Sequence, residues 1–128
     1  MQQRIINPTD GIYPATEDYI HALEISGAKR QLLVSGTMGL LQDGTPPESL
    51  DEQLDLVWNN IRTILAAADM STENIMRVTS YLTDPAHAEK NQNARLKALG
   101  ERHVPTTAIV LQTLDPHWLI EIEIIAMA

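Results

Sequence analysis

Apolar residues recur every three or four positions between residues 54 and 68, which is the spacing of one face of a helix. Ser49 and Glu52 have the spacing of an N-terminal capping box, and Asp51 adds negative charge where a helix N-terminus favours it. The pattern predicts a long helix with one apolar face, which is expected to lie along a sheet. The apolar positions are Leu54, Val57, Trp58, Ile61, Ile64, Leu65 and Ala68.

Strand-like segments lie on both sides of this helix. They cover residues 3–6, 19–26, 30–36, 75–84, 106–112 and 118–127. A second, weaker helix is predicted from about residue 86 to residue 99, because Asp84-Pro85 favours a helix start and Gly100 favours a stop. The resulting order β-β-β-α-β-α-β-β predicts an α+β fold, a mixed sheet with two helices packed on one face.

The last predicted strand contains the sequence LIEIEIIAM at residues 119–127 and presents two different faces. One side carries Ile120, Ile122, Ile124 and Ala126, and the other carries Leu119, Glu121, Glu123, Ile125 and Met127. The second side is half apolar, so an oligomer that covers it is expected. Glu121 and Glu123 have three interpretations: a polar stripe, a salt bridge to a neighbour such as Arg77 or Lys29, or a general acid/base pair. The residues alone favour the first two.

Composition narrows the class of protein. A chain of 128 residues is expected to form a single domain, 1–128, and the absence of cysteine excludes disulfides and thiolate chemistry. No apolar run approaches the roughly 20 residues of a membrane helix, and the N-terminus lacks a signal-peptide pattern, so a soluble cytoplasmic protein is expected. The formal net charge of −8, with Lys29-Arg30 the only adjacent basic pair, argues against nucleic-acid partners.

Motifs for bound metals and nucleotides are not found. The histidines at positions 21, 87, 103 and 117 lack the spacing of a metal-binding pair, so no metal site is predicted. No nucleophile elbow surrounds Ser35, and no phosphate-binding or dinucleotide fingerprint surrounds the nearby glycines. Gly36 and Gly39 are interpreted as turn residues at a strand end, with an anion-binding backbone turn as the alternative.

Several short motifs nevertheless occur in a definite order. They are YIHAL (19–23), LLVSGTMGL (32–40), DEQLDLVWNNIRTILAAADMS (51–71), VTSYLTD (78–84), QNARLKAL (92–99), VPTTA (104–108) and IEIEIIAM (120–127). No single motif is strong. The ordered set, over roughly residues 17–128, resembles the reactive intermediate/imine deaminase family (RidA-like, also called YjgF or L-PSP).

This resemblance implies a chorismate-mutase-like α+β fold and a homotrimer. In such a trimer the sheets form an internal barrel, the helices lie outside, and three clefts lie between subunits. The resemblance also implies hydrolysis of small reactive enamines and imines to 2-oxo acids and ammonia, with no metal or organic cofactor. The expected partners are therefore a small-molecule substrate and identical subunits, without nucleic acid or membrane.

The resemblance also assigns roles to residues of this chain. Glu121 corresponds to the glutamate that holds or activates the attacking water, whereas Glu123 keeps a structural role. His21 shares a strand face with Tyr19, and a position in the cleft and a position on the surface are both open for it. The positions that correspond to substrate-binding residues of the cleft are Tyr19, Ser35, Gly36 and Asn93.

One position departs from the family pattern. The family places an arginine shortly after a proline, where it clamps the substrate carboxylate, but this chain reads VPTTA. The local spacing is one residue shorter than usual, so either Thr106 or Thr107 takes the arginine's place, and Arg102 lies on the wrong side of Pro105. A threonine hydroxyl supplies one donor and no charge. The chain resembles divergent members that lack the arginine, and an altered substrate preference is expected.

Three functions follow from these observations, and the sequence leaves open whether the protein is an enzyme. The leading hypothesis is a hydrolase (deaminase) of a small imine, enamine or related carbonyl compound, with Glu121 as its catalytic residue. The alternative is a non-catalytic trimer that binds a small metabolite, which the missing arginine favours. Endoribonuclease activity ranks third because the chain is acidic and has no basic patch.

Overall fold

The computed structural model describes residues 1–128 and contains seven strands and two helices. The strands are β1 (Gln2–Ile6), β2 (Ala22–Ser26), β3 (Gln31–Leu33), β4 (Thr37–Met38), β5 (Ile75–Leu82), β6 (Thr106–Val110) and β7 (Ile120–Met127). The helices are α1 (Leu50–Ala67) and α2 (Ala88–Ala98). Neither helix combines the length and apolar character that crossing a membrane requires.

Five strands form one mixed sheet. Its order is β3-β7-β5-β6, and β4 pairs with β7 further along the same edge. All pairings in this sheet are antiparallel except that of β5 with β6, which is parallel. β1 and β2 form a separate antiparallel pair. An isolated bridge between Ile20 and Pro105 places the segment before β2 beside the start of β6.

Both helices pack on the same face of the sheet. One hydrophobic cluster joins the apolar stripe of α1, the end of α2 and the inward side chains of β5 and β7. Because the chain contains no phenylalanine, this core is largely aliphatic. Its fully buried members include Val57, Ile61, Leu65, Val78, Ile120 and Ile122.

Polar side chains fix the start of α1. The Ser49 hydroxyl accepts a hydrogen bond from the Glu52 backbone N–H at 3.1 Å, which caps the helix where the sequence predicts its beginning. Gln53 is buried and links this end of the helix to the chain before β7. Its side chain donates to the His117 carbonyl and accepts from the Leu119 N–H, each at 2.9 Å.

The chain around β4 lies directly against α1. Asn60 Nδ2 donates to the carbonyl oxygens of Met38 and Leu40, both at 3.0 Å. A Cβ built on Gly39 would overlap the backbone of Gln53, so only glycine permits this approach. These contacts fix the position of the strand end that carries Gly36 and Met38.

The predicted α+β class, mixed sheet and one-sided helix packing are confirmed, but the chain has one strand more before α1 than predicted, the short β4 (Thr37–Met38). The bounds of the other predicted strands shift by one or two residues, and two predicted strands differ more in extent. Of the segment 19–26, only Ala22–Ser26 is a strand, because Ile20 contacts Pro105 whereas the later residues pair with β1. The segment 30–36 ends as a strand at Leu33, and the chain leaves the ladder where Gly36 lies against the side chain of Glu121.

The second helix begins later than predicted. Asp84 caps a short 3₁₀ turn, Pro85–His87, through a hydrogen bond from Ala86 N to its carboxylate at 2.8 Å. α2 then starts at Ala88. The dipeptide Asp84-Pro85 thus initiates helical structure as predicted, but the first turn is 3₁₀ rather than α.

Candidate functional site

The sheet face turned away from the helices carries most of the candidate chemistry, and we call it the open face. Strand alternation and register assign residues to it, since their neighbours along each strand are buried beneath the helices. Leu33 and Ile109 on this face are 70% and 45% exposed, so water covers apolar surface here. The open face consists of Leu33, Met38, Arg77, Thr79, Tyr81, Thr107, Ile109, Glu121, Glu123 and Ile125.

Glu121 lies on β7, an inner strand of the sheet. It is half-buried and stands opposite Met38 of β4 and Tyr81 of β5. Its carboxylate rests against Gly36, where a Cβ would overlap it. None of the four ion pairs in the chain includes Glu121. The carboxylate is therefore held in place by packing and retains its capacity to accept hydrogen bonds.

Glu123 has a partner, and it is not a cation. The Tyr81 hydroxyl donates a hydrogen bond to Glu123 Oε1 at 2.7 Å. This hydrogen bond, with partial burial and the negative charges of Glu123 and Glu121, raises the pKa of the Tyr81 phenol. The salt bridge to Arg77 or Lys29 considered from the sequence is not formed. A cavity of about 250 Å³ is lined by both glutamates, Tyr81 and residues 111–114.

The two threonines at the arginine position point to opposite faces. Thr106 faces the helices, where its hydroxyl accepts from Arg95 Nη1 at 3.1 Å and donates to the Val104 carbonyl at 2.9 Å. Thr107 lies on the open face, where its hydroxyl accepts from Arg77 Nη2 at 3.0 Å. Thr107 is therefore the threonine that shares a face with Glu121.

Arg95 joins the Tyr19 segment to β6. Its side chain is 3% exposed and forms an ion pair with Asp18 Oδ2 at 2.7 Å, and Nη1 donates to the Asp18 carbonyl at 3.0 Å. Partial burial would raise the pKa of the Asp18 carboxyl, but hydrogen bonds from Thr16 and Arg95 and the charge of Arg95 outweigh it and lower that pKa. This network fixes Tyr19 beside Thr106.

Tyr19 lines a cavity of about 230 Å³ between α2, β6 and the segment before β2. Asn91 and Arg95 line the same cavity, and both are 3% exposed. Asn91 Oδ1 and Arg95 Nε have no hydrogen-bond partner among the protein atoms. This cavity therefore offers one acceptor and one donor to a polar guest, such as a water molecule or a small ligand.

His21 belongs to a small aromatic group. Its Nε2 lies 2.9 Å from the Tyr13 carbonyl oxygen, and its ring meets those of Tyr13 and Tyr19 edge-on, with centroid distances of 5.2 and 5.9 Å. Its backbone N–H donates to Asn7 Oδ1 at 2.9 Å. His21 is thus next to Tyr19 but is engaged in holding the chain before β2.

Asn93 lies on the exposed side of α2 and does not line the cavity beside Tyr19. The asparagine in that cavity is Asn91, which the sequence reasoning missed together with Asp18 and Arg95. Asn91, Arg95 and Ala98 form the buried side of α2 at intervals of four and three residues. That periodicity is the signal that could have singled them out.

Within one protomer the assigned residues fall into two groups. Ser35 and Gly36 line a groove of about 770 Å³ between α1 and the β3–β4 edge, and Glu121 packs behind Gly36. Tyr19 lies beyond the opposite edge of the sheet, on the far side of β6. Three strand spacings separate it from β7, which is about 14 Å. No group of three His, Asp or Glu side chains is placed to hold a metal ion.

Comparison with known proteins identifies the family. The sequence model of the endoribonuclease L-PSP family matches residues 12–128. The chain belongs to this family. Two L-PSP relatives are the RutC family protein YjgH of Escherichia coli (strain K12), 43% identical over 54 residues, and a RutC family protein of Aquifex aeolicus, 36% identical over 67 residues. These alignments cover 42% and 52% of this chain and 41% and 51% of the two relatives, so the chain aligns with about half of their length.

A solved structure extends the similarity to the whole chain. YyfB from Yersinia pestis, a protein of unknown function of the conserved Rid family, matches this L-PSP chain with a TM-score of 0.84 and 26% identity over 100% of both chains. The mixed sheet with two helices on one face is the chorismate-mutase-like fold that the resemblance implied.

Proposed function

We propose that this L-PSP chain hydrolyses a small reactive imine or enamine, in a cleft that a second copy of the chain completes. The observation that carries the proposal is the Glu121 carboxylate. It is half-buried, packed against Gly36 and free of any cationic partner. A carboxylate in that state can accept a proton from water, which is the task of a general base.

The chemistry needs few protein groups. An enamine first takes a proton at carbon and becomes a protonated imine (an iminium ion). Water then adds to the C=N carbon while Glu121 accepts a proton from it, which gives a carbinolamine. Glu121 returns the proton to nitrogen and then accepts the hydroxyl proton as the C=O bond forms, and the C–N bond breaks to release ammonia. The imine carbon is itself electrophilic, so positioning of substrate and water is the main demand on the protein.

Two features support a second copy at the site. The open face exposes Leu33 and Ile109, and burying such apolar surface in an interface is favourable. In addition, the Tyr19 group and Glu121 lie on opposite sides of the sheet's centre, and three strand spacings alone separate them by about 14 Å in one protomer. A homotrimer that packs its open faces together would bring Tyr19 of one protomer toward Glu121 of another.

Ammonia release tests the proposal directly. A coupled enzyme generates 2-aminoacrylate or an imino acid in the assay. We expect the protein to release ammonia from these substrates faster than buffer alone does. Glu121→Gln should lower the rate about a hundredfold, which is the usual contribution of a general base. Glu48→Gln, an exposed loop carboxylate, is the matched control and should retain the rate. A parent rate equal to buffer with these substrates and with neutral imines would reject the proposal.

A non-catalytic metabolite-binding protein is the second candidate. The observation that favours it is a neutral threonine, Thr106 or Thr107, at the position where the family pattern has arginine. A small molecule bound stoichiometrically in the cleft, and recovered unchanged after incubation, would identify this function. Ribonuclease activity remains third, because the net charge of −8 opposes binding of an RNA backbone. RNA cleavage that survives stringent purification and Glu121 substitution would revive it.

A further inference from the structure

Arg77 is the one cation among the open-face residues, and its charge is not neutralised. Its side chain is exposed and extends from β5 toward β6, where Nη2 donates to Thr107 Oγ1 at 3.0 Å. A threonine hydroxyl is neutral, and the guanidinium keeps further N–H donors in a planar fork. No carboxylate of the chain forms an ion pair with Arg77.

Arg95 provides an internal comparison. It too donates to a threonine hydroxyl, that of Thr106, but from the helix side of β6. Its charge is neutralised by Asp18 at 2.7 Å, and it is almost completely buried. Two guanidinium groups thus reach the adjacent threonines from opposite faces, and only Arg77 remains available for another anion.

Neither carboxylate of the open face forms an ion pair with Arg77. Glu123 stands opposite Thr79 and accepts from the Tyr81 hydroxyl, and Glu121 packs against Gly36. The Arg77 side chain turns away from β7 toward Thr107 instead. The Thr107 hydroxyl therefore positions the guanidinium on the open face with its remaining donors free.

We propose that Arg77 is a specificity-determining residue that binds the anionic group of a small ligand, a carboxylate, at the Thr107 position of the open face. The guanidinium that binds the anion thus comes from β5 rather than from β6. This inference rests on the proposed function for the reaction that follows, but the binding itself does not depend on turnover. A guanidinium enclosed by a second copy of the open face requires a compensating anion, because burying an unpaired charge is costly.

The test compares a carboxylate ligand with its neutral counterpart. The probes are 2-oxobutanoate and 2-oxobutanamide, titrated against the full-length protein by calorimetry and by NMR. The variants are Arg77→Gln and, as the matched control, Arg62→Gln. Arg62 is also exposed and also donates to a neutral side chain, Asn59, at 3.1 Å, but it lies on α1.

We expect the parent to bind 2-oxobutanoate about tenfold or more tightly than the amide, as a charge-assisted contact implies. Arg77→Gln should abolish that preference and leave amide binding unchanged, whereas Arg62→Gln should behave as the parent does. The preference should also weaken as salt is added.

Two outcomes would overturn the inference: a parent that binds the acid no better than the amide, and an Arg77→Gln variant that keeps the preference. Light scattering of Arg77→Gln shows whether the substitution changes the oligomeric state. Loss of the oligomer, with the acid preference intact in the protein that still binds ligand, would make Arg77 an intersubunit ion-pair residue instead.

Arg77-dependent binding without ammonia release would reject only the proposed hydrolysis. Hydrolysis of a neutral imine that Arg77→Gln leaves unaffected, with no preference for the acid, would reject only the Arg77 inference.

Discussion

The Tyr81 hydroxyl donates to Glu123 at 2.7 Å, although the residue directly opposite Tyr81 in the strand register is Glu121. This diagonal hydrogen bond gives the two carboxylates of β7 different surroundings. Glu123 is tied to β5, and Glu121 keeps its oxygens for other partners. Alternation along LIEIEII places both residues on one face, but it cannot distinguish them, because the distinction depends on a residue of another strand.

The Tyr81–Glu123 contact predicts a late alkaline titration. The contact raises the pKa of the Tyr81 phenol, so this tyrosine should ionise at higher pH than a free tyrosine does. Because the folded-state pKa is raised, the stabilisation is fully present below the unfolded-state pKa of about 10 and is lost as pH rises through the folded-state value. Ultraviolet difference titration of the parent and Tyr81→Phe would measure it. If the tyrosine titration that disappears in Tyr81→Phe has an ordinary, unshifted pKa, the contact is contradicted.

Gly36→Ala should lower the rate of ammonia release but change the thermal midpoint little. The added methyl overlaps the Glu121 carboxylate, which is the movable end of a side chain, so the fold can adjust while the carboxylate is displaced. We expect ammonia release to fall about tenfold or more, as displacement of a reacting group typically costs. Gly39→Ala is the contrasting variant, because its methyl meets the Gln53 backbone and should lower the thermal midpoint. Equal activity in Gly36→Ala and the parent would remove Glu121 from the reaction.

The sequence predicted the elements with strong periodicity and missed those decided by distant partners. The stripe of α1 and its Ser49 cap are local signals, so the helix and its beginning were both predicted. The predicted strand 30–36 ends early because Gly36 lies against the Glu121 side chain. α2 starts late because Asp84 caps a 3₁₀ turn before it. At the site, Glu121 is identifiable from its motif. The periodicity of α2 places Arg95 on its buried side, but the pairing with Asp18, 77 residues away, has no local signal.

The Asp18–Arg95 ion pair should be worth much more than the exposed pair between Arg4 and Glu24. Asp18→Asn leaves the buried guanidinium uncompensated, which typically costs about 3 kcal/mol. Arg4→Met removes a pair whose side chains are 69% and 55% exposed, and we expect a change of less than about 1 kcal/mol. Urea unfolding of both variants measures the difference.

The same pair predicts an acid dependence. The pKa of Asp18 is lowered in the folded state, so its stabilisation is present above the unfolded-state pKa of about 3.9 and is lost as pH falls through the folded-state value. The stability gap between the parent and Asp18→Asn should therefore narrow in strong acid. A gap that stays constant down to the acid-unfolded range would show that the ion pair is not its source.

Replacing each threonine by arginine should give opposite results. Thr107→Arg places a guanidinium on the open face beside Arg77, where it is solvated and can join a bidentate contact to a carboxylate. We expect binding of 2-oxobutanoate to tighten about tenfold, and any hydrolysis of imino acids to increase with it. Thr106→Arg instead brings a second guanidinium against buried Arg95, with Asp18 as the only nearby carboxylate, and should destabilise the fold. Calorimetric titration and urea unfolding of both variants separate the two effects. Tighter carboxylate binding in Thr106→Arg and none in Thr107→Arg would mean that ligands approach β6 from the helix side, and the open face would then no longer be the candidate site.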